Sequence, residues 1–476
     1  MGRVRAAKEK GKKQYIFAIK TVGLRATFRR MKDFTTGHEG RQILHFAIPM
    51  ILGTVFMQLY QLVDSVIVGQ FIGKEALAAV GASTPVIFMI IALVVGVGVG
   101  GSVVISQYFG AKQYDKVRTV CDTLFVFLLL AGVVITVLGF VFSGPVLRWM
   151  NLPEEVLPHA TEYLEIYFLG IVLLFGYNAA SAVLRGVGDS KTPLYFLIVS
   201  SVANVLFDLL FILVFEWGVA GASWATIVSQ GLAFLLCVMH VNRKNEMVRI
   251  RLNFANFDRK IFGQCLRLGL PAGLQQMFVG AGNTAMMAIA GGFGTNVIAA
   301  YAAVTRIDMF VAIPIMNFSA ALTTFVGQNI SAGKFDRIKN GLKSTLIMSV
   351  ISCMLINASI ILFAGPLIGI FTSDPEVIGY GKKSLVIINA FYSIFAVMFT
   401  FNGLLRGAGA VIVPMLTTLL SLWIIRIPGA ALLSGWFGEV GIWWAVPAGW
   451  LPGAVGAIAY YLTGKWKTKA VVFSRE

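Results

Sequence analysis

Charged residues are scarce in this sequence: Asp, Glu, Lys and Arg make up 13% of the 476 residues, whereas 57% are hydrophobic. A soluble globular protein carries roughly 25% charged residues, so the composition excludes that class and predicts a membrane protein. Apolar stretches of about 20 residues, the length of a transmembrane helix, recur from residue 44 to residue 463. Their number excludes a single-span receptor. They are too long for the strands of a transmembrane barrel, which alternate over about 10 residues.

Cysteine and histidine are equally rare, with four residues of each type. Cys121, Cys237, Cys265 and Cys353 are widely separated, and none has the spacing of metal ligands. We expect them to be packing thiols. No P-loop or metal-binding motif occurs, so we expect no cofactor, no enzyme activity and no ATP-driven pump.

Basic residues are in excess, 39 against 22 acidic ones, which gives a formal net charge of +17. Residues 1–41 alone hold twelve Lys and Arg, as is typical of a cytoplasmic tail close to anionic lipid. No nucleic-acid recognition module accompanies this tail, so we expect membrane lipids and no nucleic acid as partners. The tail also lacks the apolar core and cleavage site of a secretory signal.

The apolar stretches predict an all-α polytopic membrane protein with twelve transmembrane helices in two pseudo-symmetric lobes of six helices. Their approximate bounds are 44–68, 80–106, 119–142, 160–184, 193–215, 219–241, 265–290, 297–327, 341–364, 378–403, 411–435 and 440–463. Loops after even-numbered segments are rich in Lys and Arg, whereas most loops after odd-numbered segments carry Asp or Glu. Because Lys and Arg stay on the cytoplasmic side, we expect both termini to face the cytoplasm, in the plasma (inner) membrane.

An internal repeat supports the two lobes. When residues 107–115 are aligned with residues 328–336, the same offset aligns residues 184–188 with residues 405–409. With a slippage of one residue, Pro49 also matches Pro271. Each copy holds six spans, so the copies enter the membrane in the same sense, as in transporters with parallel repeats.

The repeat predicts the domain organisation and a cleft between the lobes. The predicted parts are a basic tail (1–41), an N-lobe (42–242), a cytoplasmic linker (243–264), a C-lobe (265–464) and a cytoplasmic C-terminal tail (465–476).

Ionisable residues at membrane depth are the candidate functional groups, since each costs about 2.5–3.5 kcal/mol on insertion scales. The first segment carries a polar stripe at helical spacing, made of Thr54, Gln58, Gln61 and Asp64. In the fifth segment, Asn204 and Asp208 are four residues apart and share a face.

Thr226 lies in the sixth segment among small residues that permit close helix contact. Asp64, Asn204, Asp208 and Thr226 together offer oxygen ligands that suit a hard cation such as Na⁺ and suit a proton equally. We predict that they form a cation-binding site. For Asn204 and Thr226 alone, hydrogen bonds between helices are the commoner role, but nothing structural requires the two carboxylates.

The C-lobe differs, because its seventh and tenth segments contain no acidic residue. We therefore expect ion coupling to reside in the N-lobe. The buried charges of the C-lobe are Arg306, Asp308 and Arg426. They either pair with one another or contact substrate, and in the second case they would line the substrate cavity together with Gln58 and Gln61.

In this order, several strings resemble the multidrug and toxin extrusion (MATE) transporters, nearest to the branch with the DinF-like (DNA-damage-inducible) and MepA-like members. They lie at residues 48–49, 58–69, 79–81, 184–189, 204–208, 221–226, 269–271 and 423–428. Together they span nearly the whole chain except the basic tail.

The resemblance implies efflux of organic, often cationic, compounds driven by inward flow of H⁺ or Na⁺, with alternating access between the lobes. It also implies that Asp64, Asn204, Asp208 and Thr226 occupy the cation site of the N-lobe. Some family members use acidic residues in helices 7 and 10 instead, which this chain lacks. The expected partners are small organic substrates and lipid, and the expected state is a monomer.

Two other functions stay open. A lipid-linked oligosaccharide flippase would share the architecture but would need a strongly basic cleft, where the sequence offers only Arg306 and Arg426. An intramembrane aspartyl protease would need two Asp residues at one depth. The string at residues 186–189 superficially fits its signature, but Asp189 falls in a loop, and short motifs often match by accident.

Overall fold

The computed structural model describes residues 32–150, 152–244, 247–250 and 253–473. These residues form helices and connecting turns, and no strand occurs among them. Most of the predicted basic tail, four positions of the predicted linker and residues 474–476 lie outside the described residues.

The described residues form twelve long helical segments. The first half consists of α1 (Glu39–Phe71), α2 (Lys74–Gly110), α3 (Tyr114–Trp149), α4 (Leu157–Gly186), α5 (Lys191–Asp208, continued by a π-helical stretch, Leu209–Val214) and α6 (Gly218–Lys244). The second half consists of α7 (Arg259–Gly291), α8 (Thr295–Ser331), α9 (Phe335–Leu362), α10 (Pro375–Ala390 and Tyr392–Gly407), α11 (Ile412–Leu419, a π-helical stretch Leu420–Arg426, and Ile427–Phe437) and α12 (Glu439–Leu462). Short helical turns cover Phe254–Asn256, Ala364–Gly369 and Lys465–Thr468.

Ten of these helices in the described part of the chain are long and apolar enough to cross a membrane. The two pieces of α10, bent by 49°, make an eleventh span when taken together. The remaining helix, α7, is 33 residues long but carries too many polar side chains to qualify by apolarity. With α7 counted, the all-α fold with twelve spans is confirmed.

The helices extend beyond the predicted apolar segments. α1 begins at Glu39 rather than near residue 44, and α7 begins at Arg259 rather than near residue 265. The start of α7 is set by Asp258, whose Oδ1 accepts hydrogen bonds from the backbone N–H groups of Lys260 (2.8 Å) and Ile261 (3.1 Å). Hydropathy identifies the apolar part of a helix, whereas capping groups set its ends.

The repeat is visible in the backbone conformation. Gly73 precedes α2 with a φ of 120°, and its repeat partner Gly294 precedes α8 with a φ of 97°. Gly188 and Gly409, which the repeat also pairs, have φ values of 83° and 89° in the turns after α4 and α10. The two halves therefore share the same sequence of helices and turns.

The first helix of each half crosses into the other half. Near its start, α1 places Phe46 in a hydrophobic core with Phe325 of α8, whereas near its end it places Val68 in a core of the first half. In the same way, α7 starts with Cys265 in the core of the first half and ends with Met286 in the core of the second half. The two halves thus exchange the beginnings of α1 and α7.

Glycines bring α2 and α7 into backbone contact. A Cβ atom added to Gly96 would overlap the backbone of Gly273, and one added to Gly100 would overlap the backbone of Gly269. Glycines four residues apart allow such close helix packing in membranes. Toward the start of α2 and the end of α7, the ring of Phe88 on α2 lies against Gly280 on α7. The two helices are therefore separated there by the width of a side chain.

Two buried glutamines link the halves beyond this glycine contact, on the side of the membrane that carries the chain termini. Gln107 of α2 donates from Nε2 to the carbonyl oxygen of Gly407 in α10 (3.1 Å). Gln328 of α8, its repeat partner, donates from Nε2 to the carbonyl oxygen of Gly186 in α4 (3.4 Å). Both glutamines are 0% exposed, so these hydrogen bonds form away from water.

The two ends of the described chain complete this closure. The backbone N–H of Phe34 donates to Oε1 of Gln328 (2.9 Å), and the backbone N–H of Val471 donates to Oε1 of Gln107 (2.7 Å). The halves are therefore closed on the side of the termini, which we call the terminal side, and diverge toward the opposite side.

We expect Gly100→Leu to lower the stability of the fold. Its side chain would meet the backbone of α7, and overpacking of this kind costs about 1–3 kcal/mol. Thermal unfolding of the purified protein in detergent measures the effect. Gly81→Leu on the same helix is the control, because a Cβ added to Gly81 has no neighbour within 4 Å. Equal unfolding midpoints for the two variants would contradict the tight contact.

Candidate functional site

Two carboxyl groups meet inside the first half. Asp64 lies near the end of α1 and Asp208 at the end of the α-helical part of α5, with their carboxyl groups next to each other. Oδ1 of Asp64 and both carboxyl oxygens of Asp208 are buried without a hydrogen-bond partner among the described residues. The structure thus brings together the two carboxylates that the sequence singled out.

Asn204 lies one helical turn before Asp208 and is equally buried, with exposed fractions of 1% and 0%. Its side-chain oxygen and nitrogen also lack hydrogen-bond partners in the described part of the chain. Buried polar atoms are normally paired, so an unpaired amide beside two unpaired carboxyls is costly. The arrangement leaves several oxygen ligands free on one side of α5.

The electrostatics of this cluster favour a positive ligand. Two negative charges at contact distance repel strongly where no water screens them. A proton between the carboxyls, or a cation bound by their oxygens, removes that repulsion. Carboxylate and amide oxygens are also the ligands that hard cations prefer.

The local shape of α5 contributes to the site. Asp208 is followed directly by the π-helical stretch Leu209–Val214, in which the N–H of Phe215 donates to the carbonyl of Leu210 five residues earlier (3.0 Å). Such wide turns are rare and often occur at functional sites. Asn204 and Asp208 therefore project from the last regular turns before the helix widens.

Tyrosine side chains lie beside the carboxyls. Tyr60, one turn before Asp64 on α1, and Tyr163 of α4 lie close enough to interact electrostatically with both carboxyls. The ring of Tyr163 stacks on that of Tyr167 at 6.3 Å. In the sequence, the four-residue spacing of Tyr163 and Tyr167 was the signal that could have indicated their place beside the site. The same spacing is common on helices whose aromatic side chains only pack.

Thr226 makes no hydrogen bond to the carboxyls among the described residues. Its hydroxyl donates to the carbonyl oxygen of Ala222 (3.1 Å), and it lines a narrow pocket with Tyr167 and Gln230. Oε1 of Gln230 is buried without a partner in the described residues. Thr226 therefore belongs to a layer adjacent to the predicted cation site, and Gln230, four residues later, is a residue that sequence reasoning missed.

The polar stripe of α1 faces the second half. Thr54 accepts a hydrogen bond from Nδ2 of Asn317 on α8 (3.1 Å). Nε2 of Gln58 lies 3.8 Å from Sδ of Met309 on α8, and Gln61 is exposed. The stripe thus runs from a contact between the halves, at Thr54, to the cation site candidate at Asp64.

The buried charges of the second half do not form an ion pair among the described residues. Oδ1 of Asp308 and Nε of Arg426 are buried without partners in that part of the chain, and Arg306 is exposed. The hydroxyl of Tyr392 donates instead to the backbone carbonyl oxygen of Asp308 (3.5 Å). Asp308 and Arg426 nevertheless lie close enough to interact electrostatically, so pairing and substrate contact both stay predictions for these residues.

Comparison with known proteins gives consistent matches. A family model described as MatE matches residues 49–210 and, a second time, residues 271–432. The probable multidrug resistance protein YpnP of Bacillus subtilis is 35% identical over 91% of this chain and 97% of its own length. A protein of Shewanella oneidensis named FAD transporter is 26% identical over 89% of this chain and 94% of its own.

Solved structures show the same architecture. One described as the outward-facing conformation of a multidrug resistance MATE family transporter of the MOP superfamily superposes with a TM-score of 0.87 at 25% identity. The match covers 92% of this chain and 98% of that one. The double match of the family model also agrees with the internal repeat.

We expect Asp208→Asn to stabilise the protein, because the new amide can donate to the unpaired carboxyl of Asp64. Changes of this type commonly add about 0.5–2 kcal/mol to the free energy of unfolding. Thermal unfolding in detergent tests this. Asp189→Asn is the control: its carboxylate already accepts bonds from Lys191 and Thr192, so no gain is expected. A loss of stability in Asp208→Asn would contradict the unpaired arrangement.

Proposed function

The chain belongs to the MatE family of multidrug and toxin extrusion transporters, and we propose that it exports small organic cations in exchange for H⁺ or Na⁺. The observation that supports this most directly is the pair of adjacent, unpaired carboxyls of Asp64 and Asp208. We propose that Asn204 assists them as a further oxygen ligand and that Thr226 supports the neighbouring layer.

The exchange follows from competition for negative charge. When the cleft is open to the outside, a proton or Na⁺ binds at Asp64 and Asp208 and neutralises them. A cationic compound held by the same charge is then bound less tightly and leaves. Return to the inward-open form and release of the ion to the cytoplasm restore the charge for the next compound.

The membrane potential and the ion gradient supply the free energy for this cycle. One positive charge that moves inward across 100 mV releases about 2.3 kcal/mol. This corresponds to about a 50-fold ratio of substrate concentrations. The potential contributes this amount when two ions enter for each monovalent organic cation that leaves. A one-for-one exchange moves no net charge, so the concentration gradient of the ion alone drives it.

The path of α1 offers a physical link between ion binding and movement of the halves. Asp64 lies in the part of α1 that packs with the first half, while Thr54, about 15 Å away along the helix, bonds to Asn317 of the second half. A change of charge at Asp64 that shifts α1 would strain or release the contact at Thr54. We propose that this helix couples the two events.

We propose cationic cargo on the basis of the site itself, since relatives differ in what they are named for. The carboxyls attract positive charge, and the ring of Tyr60 beside them can bind an organic cation through its π face. Gln58, Gln61, Arg306, Asp308 and Arg426 remain candidates for the walls of the substrate cavity.

The proposed setting is the inner membrane, with both termini and the terminal side in the cytoplasm. The Lys and Arg residues of the loops on that side support this orientation. We also propose that the chain acts as a monomer that contacts lipid and needs no cofactor beyond the exchanged ion.

The two other functions are not favoured. The aspartyl residues that meet are Asp64 and Asp208, and neither belongs to the string at 186–189 that superficially fits a protease. Asp189 precedes α5 whereas Asp208 ends its α-helical part, about 25 Å further along the helix. A flippase for large anionic substrates would need a basic cleft, but an acidic pair occupies the first half.

Transport in inverted vesicles tests the proposal. With a fluorescent organic cation as cargo, we expect uphill uptake with a pH gradient alone or with a sodium gradient alone, which also identifies the ion. Asp64→Asn should reduce the accumulation at least about tenfold, because one carboxylate that binds the ion is removed. Asp115→Asn, the same change at an exposed Asp at the start of α3, should leave the accumulation unchanged. Normal accumulation by Asp64→Asn would refute the coupling role.

A further inference from the structure

A second polar cavity lies in the first half, nearer the terminal side than the carboxyl pair. Its volume is about 160 Å³, and it is lined by α1, α4 and α5 of the first half and by Asn317 of α8. The residues that line it include Gly53, Tyr177, Ser181, Arg185, Pro193 and Leu197. This space is too small for a whole drug molecule but large enough for one charged group.

Arg185 faces this cavity without a partner in the described part of the chain. Its side chain makes no hydrogen bond and no ion pair there, although it lies close to the end of α4 inside the bundle. Arg185 is only partly exposed, and a guanidinium group with reduced access to water and no acceptor is unfavourable. The hydroxyl of Ser181, 5% exposed, lines the same cavity and is another donor.

The repeat provides an internal comparison for Arg185. Arg406 occupies the same position of the repeat in the second half, and its Nη2 donates to Oε1 of Gln275 on α7 (3.4 Å). Nε2 of Gln275 donates in turn to the carbonyl oxygen of Pro414 (3.2 Å) and to Oγ1 of Thr418 (2.7 Å). In the second half, therefore, a glutamine fills the space beside the arginine and supplies its acceptor.

In the first half that glutamine is replaced by Gly53. The register that matches Pro49 with Pro271 places Gly53 opposite Gln275. Gln275 has two roles: it donates to the carbonyl oxygen of Pro414, and it accepts from Arg406. In the first half, the hydroxyl of Tyr177 fills the first role, because it donates to the carbonyl oxygen of Pro193, the repeat partner of Pro414 (2.9 Å). The other role, acceptor for the arginine, is left unfilled among the described residues.

The surroundings add positive charge. Lys191 begins α5 next to the cavity-lining Ser190. Burial, followed by the charge of Lys191, lowers the pKa of Lys32 below its ordinary value, and Asp189 opposes this shift. The carboxylate of Asp189 already accepts hydrogen bonds from Lys191 and Thr192 and makes no ion pair with Arg185 in the described residues.

We propose that the cavity beside Arg185 binds an oxyanion, either a carboxylate or a phosphate group. One oxygen of the ligand takes the place that Oε1 of Gln275 holds beside Arg406, and the hydroxyl of Ser181 donates to a second oxygen. An arginine binds such groups well because its planar donors match their geometry. The anion is either the acidic group of a transported compound or the phosphate of a lipid headgroup.

The inference goes beyond the proposed exchange of cations and does not rest on it, because binding at equilibrium needs no ion gradient. A failure of ion coupling in vesicles would leave the anion site untouched, and a failure of anion binding would leave the role of Asp64 untouched.

The repeat supplies the decisive variant, Gly53→Gln, which copies the arrangement of the second half. The nearest atoms to an added Cβ are side-chain methyl groups of Leu197 (3.3 Å) and Leu194 (3.4 Å), which can move by a few tenths of an ångström. Equilibrium binding of radiolabelled inorganic phosphate and radiolabelled benzoate to the purified protein in detergent is measured for each variant.

We expect the unmodified protein to bind at least one of the two probes. Gly53→Gln and Arg185→Gln should each weaken this binding at least about tenfold, as loss of a charge-assisted hydrogen bond does. Gly53→Ala, which adds a Cβ but no acceptor, should change it less than about threefold. Arg243→Gln, at an exposed arginine near the end of α6, is the control for simple loss of charge.

Thermal unfolding distinguishes a Gly53→Gln protein whose new side chain fills the cavity from one that is misfolded. Gly53→Gln should raise the midpoint of thermal unfolding, because it provides the missing acceptor for Arg185, whereas a misfolded variant would lower it. If Gly53→Gln does not fold, Arg185→Gln carries the test. Binding of neither probe to the unmodified protein, or equal binding by Gly53→Gln, Arg185→Gln and the unmodified protein, would overturn the proposal.

The source of the anion is distinguished in lipid nanodiscs. If the occupant is a lipid phosphate, nanodiscs that contain phosphatidylglycerol should suppress benzoate and phosphate binding relative to detergent, and Gly53→Gln should reduce the phosphatidylglycerol retained through purification. If the occupant is the acidic group of a transported compound, probe binding should persist in the nanodiscs and still be lost in Gly53→Gln. Both outcomes support an oxyanion site.

Discussion

The backbone contact between α2 and α7 constrains the rest of the structure. Because Gly96 and Gly100 leave no side chain between themselves and α7, the halves meet closely at one level of the membrane only. On the terminal side, the buried amides of Gln107 and Gln328 extend this contact. In the other direction, Phe88 separates the helices, and the cleft opens. Asp64 lies near the end of α1, whereas the closed end is at the beginning of this helix, so the acidic pair is remote from the closing contacts.

The crossing of α1 and α7 makes this closure compatible with movement. Each helix begins in the core of one half and ends in the core of the other, so neither half can move without bending or sliding both. α1 alone also carries the carboxylate of Asp64. Charge at the site and the packing between the halves are thus features of the same helix, which is the physical basis for the proposed exchange. Pro49 and Pro271, inside these helices, weaken the backbone hydrogen bonds where such bending would occur.

The two halves share a backbone but differ in chemistry. The first half buries two carboxyls next to each other, while the second half places Asp308 near Arg426 without a direct ion pair among the described residues. The first half also leaves an open cavity at Gly53 where the second half places Gln275. The internal repeat thus compares two environments for the same position, and at the position of Gly53 and Gln275 it is the first half that leaves the arginine without an acceptor among the described residues.

The sequence by itself determined the membrane class, the number of spans, the repeat and the choice of Asp64 and Asp208 as candidates, because these depend on hydropathy, spacing and the cost of a charge in lipid. It also indicated the polar stripe of α1 but not that Thr54 would bond across to Asn317. Only the tertiary structure decided which side chains meet. It brought the two carboxyls together, and it left the Thr226 hydroxyl bonded to its own helix and Asp308 near Arg426 without a direct ion pair among the described residues. These outcomes depend on helix rotation, on crossing and on the π-helical stretches of α5 and α11, none of which changes the apolar pattern that a sequence displays.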